Sequence, residues 1–374
     1  MINLNDIISK NSWAYWEDYV HNVSRHDVET SLNITGKHSI QDFANLISAS
    51  GEQFINNLAA AANQKTIQRF GRTVQLYAPM YLSNECQNIC TYCGFSFDHK
   101  IQRKTLTDSE IIQEAEFLKL QGFDHILLVT GEANKTVGTN YIANAVKLLQ
   151  PYFSQIAIEI QPLDTDEYKL LVASGVHTVL VYQETYNRNT YKEYHTKGKK
   201  SNYQYRLETA DRLGEAGIHK IGLGALLGLD DWRVDSIHCA LHFLYLRQKF
   251  PCVKFSISFP RLRPAVGVKH DENKFMTDVQ LAQLIATYRL LDINLELSIS
   301  TREAKKFRDN IFKLGITSMS AGSKTNPGGY TLLEQELEQF EIDDDRSVQE
   351  IYDMLTIAGY EPVWKDWDQI FHIN

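Results

Sequence analysis

Eight short apolar runs, each with the pattern of a buried β-strand, succeed one another between residues 73 and 323. A longer segment with helical character follows each of the first seven runs. Near-continuous apolar strands that alternate with helices are typical of a parallel sheet covered on both faces. Eight such units predict a closed (β/α)8 barrel, in the α/β class. The runs are TVQLYAPMYL (73–82), HILLVTGE (125–132), IAIEIQP (156–162), TVLVYQET (178–185), KIGLGALLGL (220–229), KFSISFP (254–260), NLELSIS (294–300) and ITSMSAGS (316–323).

The first helix of this series has recognisable ends in the sequence. Thr107 and Glu110 have the spacing of a capping box, in which each side chain binds the backbone N–H group of the other residue. Gly122 is placed to end the same helix. These residues predict a helix between Thr107 and Gly122.

The segments on either side of the barrel have different patterns. Residues 1–72 carry apolar residues at helical spacing and no strand pattern, which predicts an N-terminal helical extension. Residues 73–330 then form the predicted barrel. Residues 331–374 are acidic and helix-prone and then aromatic, so we predict a C-terminal extension that packs over the barrel or contacts a partner.

The composition excludes several classes of protein. Hydrophobic residues make up 43% and charged residues 22% of the chain, which is the balance of a globular protein. The net charge of -8 argues against a nucleic-acid partner, since a protein that binds along phosphates needs a basic face. The sequence has no secretory signal and no apolar stretch of about 18 residues, so we expect a cytoplasmic protein without a membrane partner.

Three cysteines lie close together in the loop after the first predicted strand. Cys86, Cys90 and Cys93 have the spacing C-x3-C-x2-C. Thiolates suit iron–sulfur clusters and zinc, and three of them leave one iron of a four-iron cluster able to bind another ligand. A structural zinc site would need a fourth protein ligand, for which His99 is the nearest candidate. No second cysteine pair follows, so the pattern favours the open cluster.

The other two cysteines stand alone in the sequence. Cys239 lies in an apolar helical run, and Cys252 lies at the start of a predicted strand. We expect both side chains to be buried as small hydrophobic residues.

Polar residues recur at one end of the predicted strands. In a (β/α)8 barrel the carboxyl ends of all strands meet at one mouth, where active sites lie. A polar side chain is costly to bury there unless a ligand or another group pairs with it. Six of the eight strands show this placement, which favours a binding site over isolated polar residues of the core. The residues are Gly131, Glu132, Glu159, Gln161, Gln183, Glu184, Arg261, Arg263, Arg302 and the segment 320–323.

The cysteine spacing, followed by a barrel, resembles the radical S-adenosylmethionine (SAM) superfamily. The resemblance implies a [4Fe-4S] cluster whose open iron binds SAM, and cleavage of SAM to methionine and a 5′-deoxyadenosyl radical. Tyr92 matches a position near the adenine, and Gly131 and Glu132 match a motif that receives the SAM amino group. Glu159 and Gln183 are candidates for polar contacts with SAM by position alone. The ligand of the SAM carboxylate stays open among Lys199, Lys200, Arg206 and Arg212.

Longer strings resemble one family within this superfamily. They are YLSNEC before the cysteines, GLGALLGLDDWR in strand five, SFPRLRPA, STRE and SAGSKTNPGGY after strands six, seven and eight, and PVWKDWD near the C-terminus. The family is that of the aromatic amino-acid lyases, in particular the tyrosine lyases of thiamine biosynthesis. The resemblance implies that the radical removes a hydrogen atom from the amino group of L-tyrosine. The Cα–Cβ bond then breaks, giving 2-iminoacetate (dehydroglycine) and, after reduction, 4-cresol.

The same resemblance implies roles for three residues at the mouth. Arg302 and Ser320 match the pair that binds the substrate carboxylate, and the forked guanidinium of arginine suits a planar carboxylate. The alternative role for Arg302 is an ion pair with Glu303 or Asp309. Tyr81 matches an aromatic residue near the substrate amine.

Two protein partners are also implied by the resemblance. Because 2-iminoacetate hydrolyses readily in water, direct transfer to a thiazole synthase is expected. A one-electron donor such as flavodoxin is expected as well. The acidic stretch 334–345 is a candidate contact for the thiazole synthase, and the alternative is a solvated charged face.

Two other functions stay open on the sequence alone. A biotin-synthase-like sulfur insertion would need a second cluster, which two isolated cysteines do not supply. A non-catalytic iron–sulfur carrier would more readily close all four cluster ligands and would not need a polar mouth. The tyrosine lyases of hydrogenase maturation share the motifs but carry an additional cysteine-bound cluster. Because no cysteine follows Cys252, we expect no such cluster here.

Overall fold

Eight parallel strands close into a barrel, as the sequence predicts. The computed structural model describes residues 4–10, 12–262, 275–332 and 338–366. The strands in chain order are β1 (Thr73–Ser83), β2 (Ile89–Cys90), β3 (His125–Thr130), β4 (Gln155–Glu159), β5 (Thr178–Leu180), β6 (His195–Lys197), β7 (Lys220–Leu223), β8 (Lys254–Ser258), β9 (Glu296–Ile299), β10 (Ser318–Ser320) and β11 (Glu361–Val363). All except β2, β6 and β11 form the barrel, in which β10 pairs with β1 to close the ring. Since these strands run parallel, their carboxyl ends meet at one mouth.

Helices alternate with the barrel strands and cover the barrel. They are α1 (Leu4–Lys10), α2 (Trp13–His21), α3 (Arg25–Leu32), α4 (Ile40–Ile47), α5 (Ile55–Phe70), α6 (Asp108–Leu120), α7 (Thr139–Leu149), α8 (Thr165–Ala173), α9 (Arg188–Tyr194), α10 (Tyr203–Leu207), α11 (Thr209–Glu215), α12 (Trp232–Lys249), α13 (Asp278–Leu291), α14 (Lys305–Ile311) and α15 (Val348–Ile357). The predicted ends of α6 are confirmed, because Thr107 and Glu110 form the capping box and Gly122 has a φ of +93° just after the helix. The N-terminal helices α2, α4 and α5 pack against α12 and α13. In the described part of the chain, no helix has the length and apolar character needed to cross a membrane.

All barrel strands except β1 end before the apolar runs that predict them. β5 ends at Leu180 and β10 ends at Ser320, although their runs extend to residues 185 and 323. Beyond β5 the backbone leaves the regular ladder, and Glu184 has a φ of +71°, which is rare for a residue with a side chain. The polar ends of these runs therefore belong to the mouth and not to the sheet.

The C-terminal segment contributes a strand that the sequence did not predict. β11 pairs in parallel with the start of β1, at the end of the barrel opposite the mouth. The strand has three residues and contains Pro362, which is uncommon in sheets, so no strand pattern is visible. The adjacent Trp364 packs against Phe123 and Tyr352, with ring centroids 5.6 and 6.1 Å away.

The two isolated cysteines have different environments. Cys239 is buried in α12, as predicted. The prediction for Cys252 is wrong, because this side chain is exposed. It lies in the turn between α12 and β8, before the first paired residue of the strand, so the barrel does not cover it.

A segment that we call the C-terminal strap, residues 338–346, crosses the mouth and is held by buried charges. The fully buried Arg308 donates to the carboxylate of Asp344 and to the carbonyl of Ser320. Arg346 also binds Asp344, with Nη2 2.6 Å from Oδ2. Among the described acidic residues of the stretch that the sequence suggested as a partner contact, Asp344 is buried, whereas Glu338, Glu341, Asp343 and Asp345 are exposed.

Replacing Asp344 by alanine is expected to destabilise the protein strongly. The change would leave the guanidinium of Arg308 buried without its anion, which costs about 3–5 kcal/mol in proteins. Denaturant titration measures the free energy of unfolding. Asp345→Ala, at an exposed neighbouring carboxylate, is the matched control and should change it by less than about 0.5 kcal/mol. Equal free energies of unfolding for the two variants would contradict an anchoring role for Asp344.

Candidate active site

A cavity at the mouth of the barrel brings most of the predicted site residues together. The predicted residues that line it are Tyr81, Cys86, Cys90, Tyr92, Cys93, Gly131, Glu132, Glu159, Arg302 and Ser320. Gln183 does not line it. Its side chain is buried, and both of its amide atoms lack a hydrogen-bond partner in the part of the chain that is described. The neighbouring Glu184 lines the cavity instead.

The three clustered thiols reach the cavity from one loop. The N–H group of Cys90, in β2, donates to Ser96 Oγ at 3.1 Å, and the N–H group of Ser96 donates to the carbonyl of Cys93 at 3.0 Å. Burial raises the pKa of all three thiols, so metal binding must displace their protons. His99, the candidate for a fourth zinc ligand, does not line the cavity, and its Nδ1 lies 3.2 Å from the carbonyl oxygen of Gly94.

The donor set of this loop fits an iron–sulfur cluster. Thiolates are the soft ligands that such clusters take, and all three cysteines line the cavity. Among the described residues, no group of three or more His, Cys, Asp or Glu side chains is arranged to hold a single metal ion. Separated thiols match a cluster, because its cysteine sulfurs bind different irons.

Gly131 is required by the cysteine loop. A Cβ atom at this position would lie 2.2 Å from the carbonyl oxygen of Glu85 and 3.3 Å from Cys86 Cβ. Sequence analysis assigned Gly131 to the motif that receives the SAM amino group. The structure adds that the protein's own loop occupies part of the space that a side chain would need.

Asn88 ties the cysteine loop to two neighbouring segments. Its Nδ2 donates to Glu132 Oε2 at 2.8 Å, and its Oδ1 accepts from the N–H group of Lys200 at 3.0 Å. A Cβ atom on Gly198 would lie 2.1 Å from the same Oδ1, so the glycine keeps this contact possible. Sequence analysis missed Asn88, although a polar residue inside the cysteine motif was the available signal.

Four charged side chains form a buried network beside the thiols. Arg206 donates to Glu132 at 2.8 Å and to Glu184 at 3.3 Å, and Lys200 donates to Glu184 at 2.7 Å. Burial opposes ionisation, but Lys200 and Arg206 lower the pKa of Glu184 to about 2. Of the four basic candidates for the SAM carboxylate, Lys200 and Arg206 line the cavity and the other two do not.

Tyr92 also lines the cavity. Its hydroxyl lies 2.8 Å from Nε2 of His195, and its ring meets that of Tyr194 edge to face at 6.1 Å. Lys200 Nζ lies 5.7 Å from the ring centroid. Contacts on several sides therefore fix the orientation of this ring.

Arg302 and Ser320 lie near each other at the ends of β9 and β10. The guanidinium carbon of Arg302 is 3.6 Å from the ring centroid of Phe340, and its Nη1 donates to the carbonyl of Arg261 at 3.3 Å. Ser320 Oγ accepts from the N–H group of Thr301 at 3.0 Å. A forked cation beside a hydroxyl is an arrangement suited to a carboxylate ligand.

The alternative partners suggested for Arg302 each bind another arginine. Glu303 accepts from Arg261, with Nε and Oε1 3.1 Å apart, and Asp309 accepts from Arg346 at 2.7 Å. Arg261 is therefore engaged in a buried ion pair and does not line the cavity. Arg263, the other basic residue predicted after strand six, lies outside the described residues.

The C-terminal strap supplies two cavity residues that sequence analysis missed. The hydroxyl of Tyr81 donates to Gln339 Oε1 at 2.7 Å, and Gln339 Nε2 lies 3.9 Å from Cys93 Sγ. Phe340 covers Arg302. Neither residue belongs to a recognisable motif, and both are distant in sequence from the strands that they contact.

Glu159 projects from β4 into the cavity. Within the described part of the chain, its carboxylate has no hydrogen-bond or ion-pair partner. Burial and the charge of Glu184 raise the pKa of Glu159 from its ordinary value of 4.5 to about 7, although Arg302 opposes this shift. The cavity therefore contains a carboxyl group that changes its charge near neutral pH.

Two family descriptions match successive parts of the chain. The description of the radical SAM superfamily matches residues 80–239, from β1 into α12. The description of the biotin and thiamin synthesis associated domain matches residues 258–361, from the end of β8 to β11. Together they cover most of the barrel, the strap and the helix that follows it.

The chain is similar over most of its length to curated proteins and solved structures. It is 46% identical to 2-iminoacetate synthase of Escherichia coli (strain K12) and 44% identical to that of Salmonella typhimurium, covering 94% of each chain in both pairs. A crystal structure of HydG, a maturase of the [FeFe]-hydrogenase, matches with a TM-score of 0.90 and 32% identity, over 96% of this chain and 81% of that chain. Methylornithine synthase, at 18% identity and a TM-score of 0.71, shares the fold and covers 93% of this chain and 97% of its own.

Removing any cavity cysteine is expected to release most of the bound iron. Cys86→Ala, Cys90→Ala and Cys93→Ala each delete one of the three soft ligands that the loop provides. Iron and sulfide content after anaerobic reconstitution measures the effect. Cys252→Ala, at an exposed thiol, is the control and should keep the wild-type iron content. A cavity variant that binds as much iron as this control would contradict the cluster assignment.

Glu159→Gln is expected to change how stability depends on pH. Because folding raises the pKa of Glu159, its contribution to the free energy of unfolding of the wild type falls as the pH rises from about 4.5. The fall is complete above about pH 7. The amide has no such loss, so the variant should gain about 1–3 kcal/mol relative to wild type between about pH 5 and pH 8. Urea unfolding at both pH values measures this difference. Glu116→Gln, at an exposed carboxyl, should show no gain in the free energy of unfolding. An equal change in both variants would argue against the raised pKa of Glu159.

Proposed function

Since the chain belongs to the 2-iminoacetate synthase family of radical SAM enzymes, we propose that it cleaves the Cα–Cβ bond of L-tyrosine to 2-iminoacetate and 4-cresol. The observation that carries the proposal is one cavity that joins three kinds of group. It contains the three thiols, a buried network of charged side chains, and the pair Arg302 and Ser320. These groups suit a cluster, a zwitterionic cofactor and an amino-acid carboxylate respectively.

The cofactor side of the cavity would hold a [4Fe-4S] cluster and SAM. When bound, these two groups together supply the 5′-deoxyadenosyl radical. Glu132 offers a carboxylate to the SAM ammonium, and Lys200 or Arg206 offers a cation to its carboxylate. Tyr92 offers an aromatic face to the adenine, and Glu159 offers a free carboxyl for a polar contact.

The substrate side would hold tyrosine through its zwitterionic end. Arg302 and Ser320 bind the carboxylate, and Tyr81 lies beside the amine in this arrangement. Phe340 keeps water away from one face of the guanidinium, which strengthens an ion pair formed there. Fixing the carboxylate places the amine within reach of the radical, and such positioning accounts for a large share of rate in enzymes.

Other assignments receive less support from the cavity. A biotin-synthase-like reaction would need ligands for a second cluster, but Cys239 and Cys252 do not line the cavity. For partners, we propose a thiazole synthase that accepts 2-iminoacetate before it hydrolyses, and a one-electron donor such as flavodoxin. Both follow from the chemistry of the proposed reaction.

Arg302→Lys is expected to uncouple SAM cleavage from tyrosine cleavage. Lysine keeps the charge but loses the fork, so tyrosine binds more weakly and its amine is misplaced. The ratio of 5′-deoxyadenosine to 4-cresol, measured at saturating tyrosine in cluster-replete enzyme, should rise on the order of tenfold. Arg25→Lys, at an exposed arginine of α3, should leave the ratio unchanged.

Two other outcomes would count against this role. A purely structural Arg302 predicts a lower soluble yield, a damaged cluster and a parallel fall of both products. An unchanged ratio with unchanged tyrosine affinity would mean that Arg302 does not bind the carboxylate. Absence of cresol from wild-type enzyme that forms deoxyadenosine would contradict the proposed substrate.

A further inference from the structure

An exposed aromatic side chain lies on the outer side of the cysteine loop. Phe97 is 63% exposed, although most large apolar side chains of the described chain are buried. It directly follows Ser96, whose hydroxyl and N–H group bind Cys90 and Cys93. The ring is therefore one residue away from the contacts that shape the proposed cluster site. Such a ring contributes most to binding when a partner removes it from water.

Exposed lysines share the surface of this ring. The N–H group of Phe97 donates to the carbonyl of Asn88 at 2.9 Å, and the next residue, Ile89, pairs with Lys197 in the ladder between β2 and β6. Lys199 follows two residues later, and both lysines are exposed. We call Phe97, Lys197 and Lys199 the cluster-side patch.

The local charge around this patch has the opposite sign to that of the whole chain. The chain has a net charge of -8. Within 97–100 and 195–200, the exposed charged residues are Lys100, Lys197, Lys199 and Asp98. Three lysines against one carboxylate give these two segments a net positive charge, which attracts an acidic protein.

We propose that the cluster-side patch is the docking surface for an acidic one-electron carrier protein. The inference rests on the cluster of the proposed function. One electron leaves the reduced carrier, which becomes oxidised, and enters the oxidised cluster, which becomes reduced; no atom is transferred. On the cavity side, Gln339 of the strap contacts Cys93. The outer side of the loop offers a carrier an approach that does not pass through the cavity proposed to hold SAM and tyrosine.

The first test measures binding and needs no catalysis. The full chain with its reconstituted cluster is titrated with a flavodoxin, which serves as the acidic carrier. Phe97→Ser and the double variant Lys197→Glu with Lys199→Glu should each raise the Kd about tenfold. The double variant should also lose most of the salt dependence of binding. Matched controls are Ile357→Ser, at an 86% exposed side chain, and Lys306→Glu, at an exposed lysine of α14.

The second test compares two routes of reduction by electron paramagnetic resonance of the reduced cluster. Dithionite needs no docking, so it should reduce the cluster equally in all variants. Reduction by the flavodoxin should slow about tenfold in the patch variants alone. If Phe97→Ser also lowers reduction by dithionite, the loop itself is damaged. In that case the double lysine variant, which lies outside the loop, tests whether the patch binds the carrier.

Three outcomes separate this proposal from the alternative explanations. Equal flavodoxin binding and reduction in patch variants and controls would overturn it. Weakened binding of a thiazole synthase, with flavodoxin binding unchanged, would also overturn it and assign the patch to the product acceptor. If flavodoxin reduces the cluster through the patch but wild-type enzyme forms no cresol, the docking surface stands and the proposed substrate is wrong.

Discussion

The mouth of the barrel depends on the mutual neutralisation of Glu132, Glu184, Lys200 and Arg206. Removing charges from water costs several kcal/mol for each ion, and a buried cation between two carboxylates recovers part of that cost. Arg206 thereby joins the segment that follows β3, which contains Glu132, to the segment that follows β5, which contains Glu184. Asn88 extends the same network to the cysteine loop through Glu132. The loop is therefore positioned by the protein's own charges before any cofactor binds.

A second set of contacts joins the two halves of the cavity through the C-terminal strap. Gln339 contacts Tyr81 and Cys93, and Phe340 stacks on Arg302. Further along the strap, Asp344 fixes the segment to the barrel through the buried Arg308 and also binds Arg346 within the strap. The same short segment thus contacts the side assigned to the cofactors and the side assigned to the substrate. A shift of the strap would change both sides together.

Periodicity and ligand chemistry made the barrel and the thiol site predictable, because both are local in sequence. Gln183 shows that proximity to the end of a run is not enough to predict a cavity residue. Leu180, Tyr182 and Glu184 line the cavity at alternate positions, so the alternation of a strand selects Glu184 and not Gln183. Gln339 could not be predicted either, because its role arises from a tertiary contact with residues far away in sequence. The exposed Cys252 reflects a strand boundary, which sequence patterns locate poorly.

The position of the strap in the chain also sets an order of events during synthesis on the ribosome. The cysteine motif emerges after the first barrel strand, whereas Gln339, Phe340 and the strand β11 emerge only after all eight barrel strands. Until then the nascent barrel has an uncovered mouth, and the start of β1 lacks its β11 neighbour at the other end. Iron and sulfide delivered to the motif at that stage would be open to oxygen. The topology thus favours metallation after the strap has covered the mouth over metallation before the strap is made.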